Sequence, residues 1–138
     1  KNRNNIIFFK KFIAPIFTNL DKIKIIEGDG ITFVSKFNKY DYIFADMWFT
    51  PEDGLEYYLK LKKIEEKCHI KIHYWLENGL KQMRRRYILE LIRESLEGFD
   101  EKKYQSESTV EDRIFKELYY QTKNITINTI NDVKEVLK

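Results

Sequence analysis

The chain has 138 residues, enough for one domain with a hydrophobic core. Apolar residues make up 43% and charged residues 34%, a balance that excludes a disordered chain. With 25 basic against 22 acidic residues the net charge is +3, too small and too mixed to argue for nucleic acid or a membrane surface as partner. Cys68 is the lone cysteine, so no internal disulfide can form and a reducing cytoplasm is the simplest location. No apolar run approaches the roughly 20 residues of a membrane helix, and no signal-peptide pattern stands at the start. The chain opens on Lys1 rather than Met, which reads as a processed or truncated product.

Asn5 to Ile13 carries Ile6, Phe9, Phe12 and Ile13 on one stripe and predicts a short amphipathic helix. Pro15 biases Ala14 away from helical geometry, so that helix should end there. Lys22 to Ile26 is rich in β-branched residues, stops at Gly28 and predicts a first strand. Ile31 to Phe37 places Phe33, Val34 and Phe37 on one helical stripe. Tyr40 to Ala45 predicts a second strand that stops at Asp46. Strand, crossover helix and strand at this spacing predict a parallel α/β unit, with Asp29 and Asp46 at the carboxyl ends of its strands and bordering one crevice.

Thr50 is a good N-cap and Pro51 suits the first helical position. The helix from Pro51 to about Glu66 should bury Leu55, Tyr58, Leu59, Leu61 and Ile64, with Glu56 and Lys60 paired one turn apart. His69 to Leu76 alternates at first and predicts a third strand. Glu77 to Leu96 predicts a helix with Leu80, Met83, Tyr87, Ile88, Leu91 and Ile92 inward, stopped by Gly98. A short polar linker lies near 99–107, inside what reads as a single domain over 1–138. Ser108-Thr109-Val110-Glu111 has the form of a capping box for a helix carrying Val110, Ile114, Phe115, Leu118 and Tyr119. Lys123 to Ile130 is rich in Thr and Ile and predicts a last strand, after which Asn131 caps a final helical turn.

Gly28-Asp29-Gly30 follows a strand and opens a helix, as a dinucleotide-binding turn does. The third glycine of that fingerprint is replaced by Phe33, so a tight turn that lets a flat ligand approach the backbone is the better reading. Asp29 would then accept a hydrogen bond from an exocyclic amine. Asp46 ends an apolar strand, where a carboxylate either faces a cleft or caps the next turn. Trp48 either walls a ligand pocket or packs. His69 and His73 stand four apart without the glutamate of a zinc motif, so solvent-facing histidines and no metal site are expected. Arg84-Arg85-Arg86, with Lys81 upstream, is the densest basic run. Three successive helical residues fan across a wide arc, so a solvated outer face is the default and nucleic-acid contact the sharper alternative.

IKIIEGDGITFV followed by YDYIFADMW resembles the third- and fourth-strand region of class I S-adenosylmethionine-dependent methyltransferases, closest to the spermidine-synthase-like branch. NNIIFFKKFIAPIF is similar to the helix that leads into that third strand, and the resemblance covers about Asn4 to Leu80. It implies a Rossmann-like, mostly parallel sheet flanked by helices and incomplete at its N-terminal half. It also implies S-adenosylmethionine as cofactor. Gly28, Asp29 and Gly30 would sit against adenine, with Trp48 beside the cofactor and Asp46 at the transferred group. Phe49 stands where aminopropyl transferases carry a second acid, and the Asn/Asp-Pro-Pro-aromatic pattern of amino-methyltransferases is absent.

The family's first strand, glycine-rich loop and second strand would precede Asn4, and in the family's sheet those strands lie between the third and fourth. Their backbone partners must come from elsewhere: a companion N-terminal segment, a second copy in a homo-oligomer, or closure of the two remaining strands. The resemblance thus implies a methyltransferase-like portion with weak or no activity alone. The other expectations are a non-catalytic interaction module on the same fold and a nucleic-acid-binding domain using Arg84 to Arg86.

Overall fold

Thr50-Pro51 starts the longest-range organisation in the molecule. Thr50 Oγ1 accepts from the Asp53 amide, and the Asp53 carboxylate accepts from the Thr50 amide at 2.7 Å. This reciprocal cap, with proline in the first turn, launches helix α3 over Pro51–Cys68. The computed structural model describes residues 3–36, 40–105 and 109–138. These form two compact units, Lys1–Asn38 and Lys39–Lys138.

The first unit contains α1 (Arg3–Phe8), which continues as a π-helical turn through Phe9–Ile13 and a 3-10 turn at Ala14–Ile16. Pro15 sits inside that last turn; Ala14 before it keeps helical angles, φ −53° and ψ −41°, contrary to the expected bias, and the chain turns extended only at Phe17. A second 3-10 turn covers Leu20–Lys22, and α2 spans Gly30–Lys36. Phe37, expected on the α2 stripe, lies outside the described residues. None of residues 3–36 is buried. Ile7, Phe8, Phe12 and Ile16 are each more than half exposed.

The predicted first strand does not form. Lys22 closes a 3-10 turn, and residues 23–27 are irregular chain that pairs with no strand among the described residues. β-Branched residues favour a pleated surface only when a neighbouring strand offers its hydrogen bonds. The predicted parallel unit of Lys22–Ile26 with Tyr40–Ala45 is therefore not formed.

A parallel unit does form one step later. β1 (Ile43–Ala45) runs into α3 and then β2 (Ile72–Tyr74), in parallel register with Ile43 opposite Ile72 and Ala45 opposite Tyr74. The fold is α/β, mostly helical, with one two-stranded parallel sheet among the described residues. Helices α4 (Glu77–Glu97), α5 (Val110–Thr122) and α6 (Ile130–Val136) follow.

The core of the second unit is the meeting of α3, α4 and α5. Leu55, Leu61, Leu80, Ile88 and Leu118 are fully buried there, at the spacings the sequence predicts for amphipathic helices. Met83, Tyr87 and Ile92 are half-buried. Gly98 ends α4 at φ +99°, a conformation glycine adopts without a Cβ clash. The stretch near 99–107 is not a divider. Glu101–Tyr104 is a 3-10 helix, and Tyr104 is buried in a near-parallel stack running Tyr119–Phe99–Tyr104–Phe115 with centroids 4.5, 5.7 and 4.8 Å apart.

Three further boundaries differ from expectation. Thr109, one residue after Ser108, caps α5, its Oγ1 accepting from the Asp112 amide at 3.1 Å; Ser108 lies outside the described residues. The expected last strand at Lys123–Ile130 is absent. Thr129 and Asp132 form a capping box instead, so α6 begins at Ile130 and Asn131 lies inside it. A local reciprocal cap needs no distant partner, whereas a strand there would need one. The third strand is trimmed to Ile72–Tyr74 because His69 and Leu76 both adopt left-handed conformations, at φ 54° and 55°.

Among the described residues no helix is long and apolar enough to cross a membrane. His69, exposed, closes α3 in a conformation that disfavours any residue with a Cβ. Accordingly, His69→Gly is expected to raise stability by about 1 kcal/mol, read as a higher midpoint in urea unfolding.

Candidate functional site

The carboxyl edge of the two-stranded sheet gathers the chain's loop ends. Ala45 is buried at the end of β1, and Asp46 follows it, exposed. The Trp75 amide donates to Ala45 O at 2.9 Å, and Trp48 Nε1 donates to Trp75 O at 3.0 Å. These two bonds tie the loop after β1 to the loop after β2. The first turns of α3 and α4 also meet here, since a Cβ at Gly79 would lie 2.6 Å from Pro51 Cγ. Asp46 thus stands at an edge where parallel sheets collect ligands.

Trp48 is buried, with its ring 6.4 Å from that of Tyr74. Its indole N–H is spent on backbone, so its place is in the packing beneath this edge. A Cβ added at Gly54 would fall 2.5 Å from the indole. Glycine in the first turn of α3 is here the condition for seating the tryptophan.

Glu65 holds β2 in place. Its Oε1 accepts from the Ile72 amide at 2.7 Å, and its Oε2 from Tyr74 Oη at 2.7 Å and Lys62 Nζ at 2.5 Å. Burial by itself would raise this carboxyl. The bonds from Lys62, Ile72 and Tyr74 together outweigh it and hold Glu65 below its ordinary 4.5. The Tyr74 hydroxyl is pushed up, first by burial and then by the carboxylate it faces. Glu56 makes a similar bridge, from α3 to α5, accepting from Lys60 at 2.7 Å and Arg113 at 3.1 Å.

Gly28, Asp29 and Gly30 lie together in the first unit, in a hollow of about 500 Å³ whose walls also include Ile26, Thr32 and Phe33. Asp29 is the cap of α2: its Oδ2 accepts from the Thr32 amide at 2.9 Å and Thr32 Oγ1 at 2.6 Å. The turn is made by this cap. Gly98 is the one glycine at positive φ among the described residues. The structure brings Gly28, Asp29 and Gly30 into one group and Asp46 and Trp48 into another, on separate units.

His69 and His73 do not act together. His69 caps α3, and the His73 ring stacks on Tyr42 at 4.6 Å. The three arginines divide as well. Arg86 is exposed and reaches Glu90 at 3.6 Å, whereas Arg84 and Arg85 line a cleft between helices. The role of Glu65 leaves no local mark in the sequence, because its partners lie seven and nine residues away across a turn. Comparison with protein-family models, with curated proteins and with solved structures finds no match to this chain.

Two outcomes follow from these contacts. Alanine for glycine in a helix ordinarily gains up to about 1 kcal/mol, but Gly54→Ala is expected to lose about 1–3 kcal/mol in denaturant unfolding, because a ring pinned by its own hydrogen bond must move. Glu65 has a depressed folded pKa, so its contribution is complete above its unfolded value and lost as pH falls through the folded one. Glu65→Gln is expected to cost about 2 kcal/mol at neutral pH and to flatten the decline of stability below pH 4.5, followed by circular dichroism.

Proposed function

We propose that this chain is part of a Rossmann-like, S-adenosylmethionine-dependent methyltransferase, a portion with weak or no turnover alone. The observation that carries the reading is the parallel β1–α3–β2 unit with Asp46 at the exit of its first strand.

The first unit supports the same reading. Residues 23–26 are strand-like in composition yet pair with no strand among the described residues, and none of residues 3–36 is buried. Parallel sheets are covered on both faces, and a unit without a core gains little from its own folding. Further strands, supplied by more of the same chain, a companion segment or a second copy, would pair the Ile23-Lys24-Ile25-Ile26 backbone and cover these side chains. In that assembly the Asp29–Gly30 turn would lie against adenine and Asp46 would orient or deprotonate the methyl acceptor. Catalysis of this kind rests mainly on positioning. The described residues supply these two acids but no glycine-rich loop for the methionine tail, so the fit to the cofactor is partial.

One observation favours a second reading, a non-catalytic interaction module. The Asp29 carboxylate already serves as a helix cap, which accounts for its presence without any ligand.

Calorimetric titration of S-adenosylhomocysteine into the longest natural gene product containing this sequence separates the two. Saturable binding is expected. Asp29→Ser keeps an equally good N-cap and removes the carboxylate, so it should weaken binding about tenfold or more at unchanged melting temperature. Absence of saturable binding overturns the methyltransferase reading in favour of the module.

A further inference from the structure

A second concave site lies wholly within the second unit, between α3, α4, the end of α5 at Gln121 and residues 137–138, with a volume of about 470 Å³. That is the size of a small-ligand pocket. Its wall is basic on two sides: Lys62 and Lys63 from α3, and Lys81, Arg84 and Arg85 from α4, against Glu66 as the acidic side chain facing them. The spacing explains the convergence. Positions 81, 84 and 85 share one helical face, and so do 58, 59, 62, 63 and 66 on α3.

The cations are not equivalent, and Lys138, which also lines the cleft, is paired with Glu135. Lys62 is held by Glu65 at 2.5 Å, Lys63 by Glu117 at 2.5 Å and Lys81 by Glu77 at 2.7 Å. Arg85 gives its Nε–H to a neutral group, Leu137 O, at 3.1 Å. Arg84 is half-buried and makes no ion pair or hydrogen bond among the described residues. Two guanidinium groups therefore stand in one concavity with no carboxylate of their own.

Beneath them lie Tyr58 and Leu59, both 3% exposed. The Tyr58 hydroxyl makes no hydrogen bond among the described residues, and it lies within the electrostatic reach of Lys81 and Arg84. The site thus combines planar cationic forks suited to two phosphate oxygens, a neutral donor, and an apolar floor.

We propose that this cleft binds a phosphorylated small molecule of about mononucleotide size, with its phosphate on Arg84 and Arg85 and its organic part over Tyr58 and Leu59. The cleft takes no residue from the proposed cofactor and acceptor positions, so it stands or falls separately from the methyltransferase reading. A bounded concavity fits a small ligand better than a nucleic-acid strand. A strand would also engage the outer face of α4, where Arg86 lies.

The test is heteronuclear NMR titration of the full chain with uridine monophosphate, uridine, pyrophosphate and a twelve-residue oligothymidine. Uridine monophosphate lacks the adenosine and methionine groups of the proposed cofactor, so a result here is independent of that site. Saturable shifts at Tyr58, Arg84 and Arg85 are expected with uridine monophosphate, weaker ones with pyrophosphate, and none with uridine. Arg84→Gln should weaken uridine monophosphate binding about tenfold or more, Arg84→Lys should weaken it less, and Arg86→Gln should leave it unchanged. Arg85→Gln replaces Arg84→Gln if the latter lowers the melting temperature. No saturable shift with either phosphate compound overturns the proposal, as does equal loss on Arg86→Gln. Oligothymidine binding tighter than the mononucleotide and dependent on Arg86 overturns it in favour of a nucleic-acid surface.

Discussion

The Glu65 carboxylate is the junction on which the second unit depends. A parallel pair of strands cannot be closed by a tight turn; its second strand must be returned by a crossover and then held. Here α3 makes the crossover, and Glu65 in its last turn grips β2 through the Ile72 amide and the Tyr74 hydroxyl. Hydrogen bonds to a charged group contribute about 1.5–3 kcal/mol each, a large share of the stability of a domain this size. They also set the height at which β2 meets β1, and through the Trp75–Ala45 and Trp48–Trp75 bonds the position of the carboxyl edge. Asp46 follows β1 at that edge, while Glu65 holds both the first and the last residue of the neighbouring β2.

The two units are built on different physical terms. The second has a helical core of leucines and isoleucines, capped helix starts and a stack of aromatic rings. The first has helical turns and local caps but no buried side chain among its described residues. Local hydrogen bonds can shape such a segment; burial of apolar area, the dominant favourable term in folding, is missing from it.

Charge placement follows burial rather than composition. A net charge of +3 describes neither face of α4. On one face Arg86 sits in solvent beside Glu90; on the other Arg84 and Arg85 share a concavity with lysines of α3. The basic run in the sequence is continuous, but the helix separates its members by about 100° per residue and the neighbouring helix decides which of them act together.

What is local can be read from neighbouring residues alone. Thr50-Pro51 launching α3, Gly98 stopping α4, the buried stripes of α3, α4 and α5, and the Glu56–Lys60 pair all follow from helical periodicity and capping, which involve residues within a few positions of one another. A parallel strand–helix–strand unit was legible as a type, and Asp46 as the residue at a strand's exit. Which strands pair was decided only by the tertiary structure. Ile23 to Ile26 has the composition of a strand and Lys123 to Ile130 has it too, yet neither finds a neighbour among the described residues, while the three residues Ile72–Tyr74 do. The same holds for Trp48, Glu65 and Arg84. A helix can be specified by its own residues, but a strand, a buried carboxylate and a cleft exist only through groups brought from elsewhere in the chain.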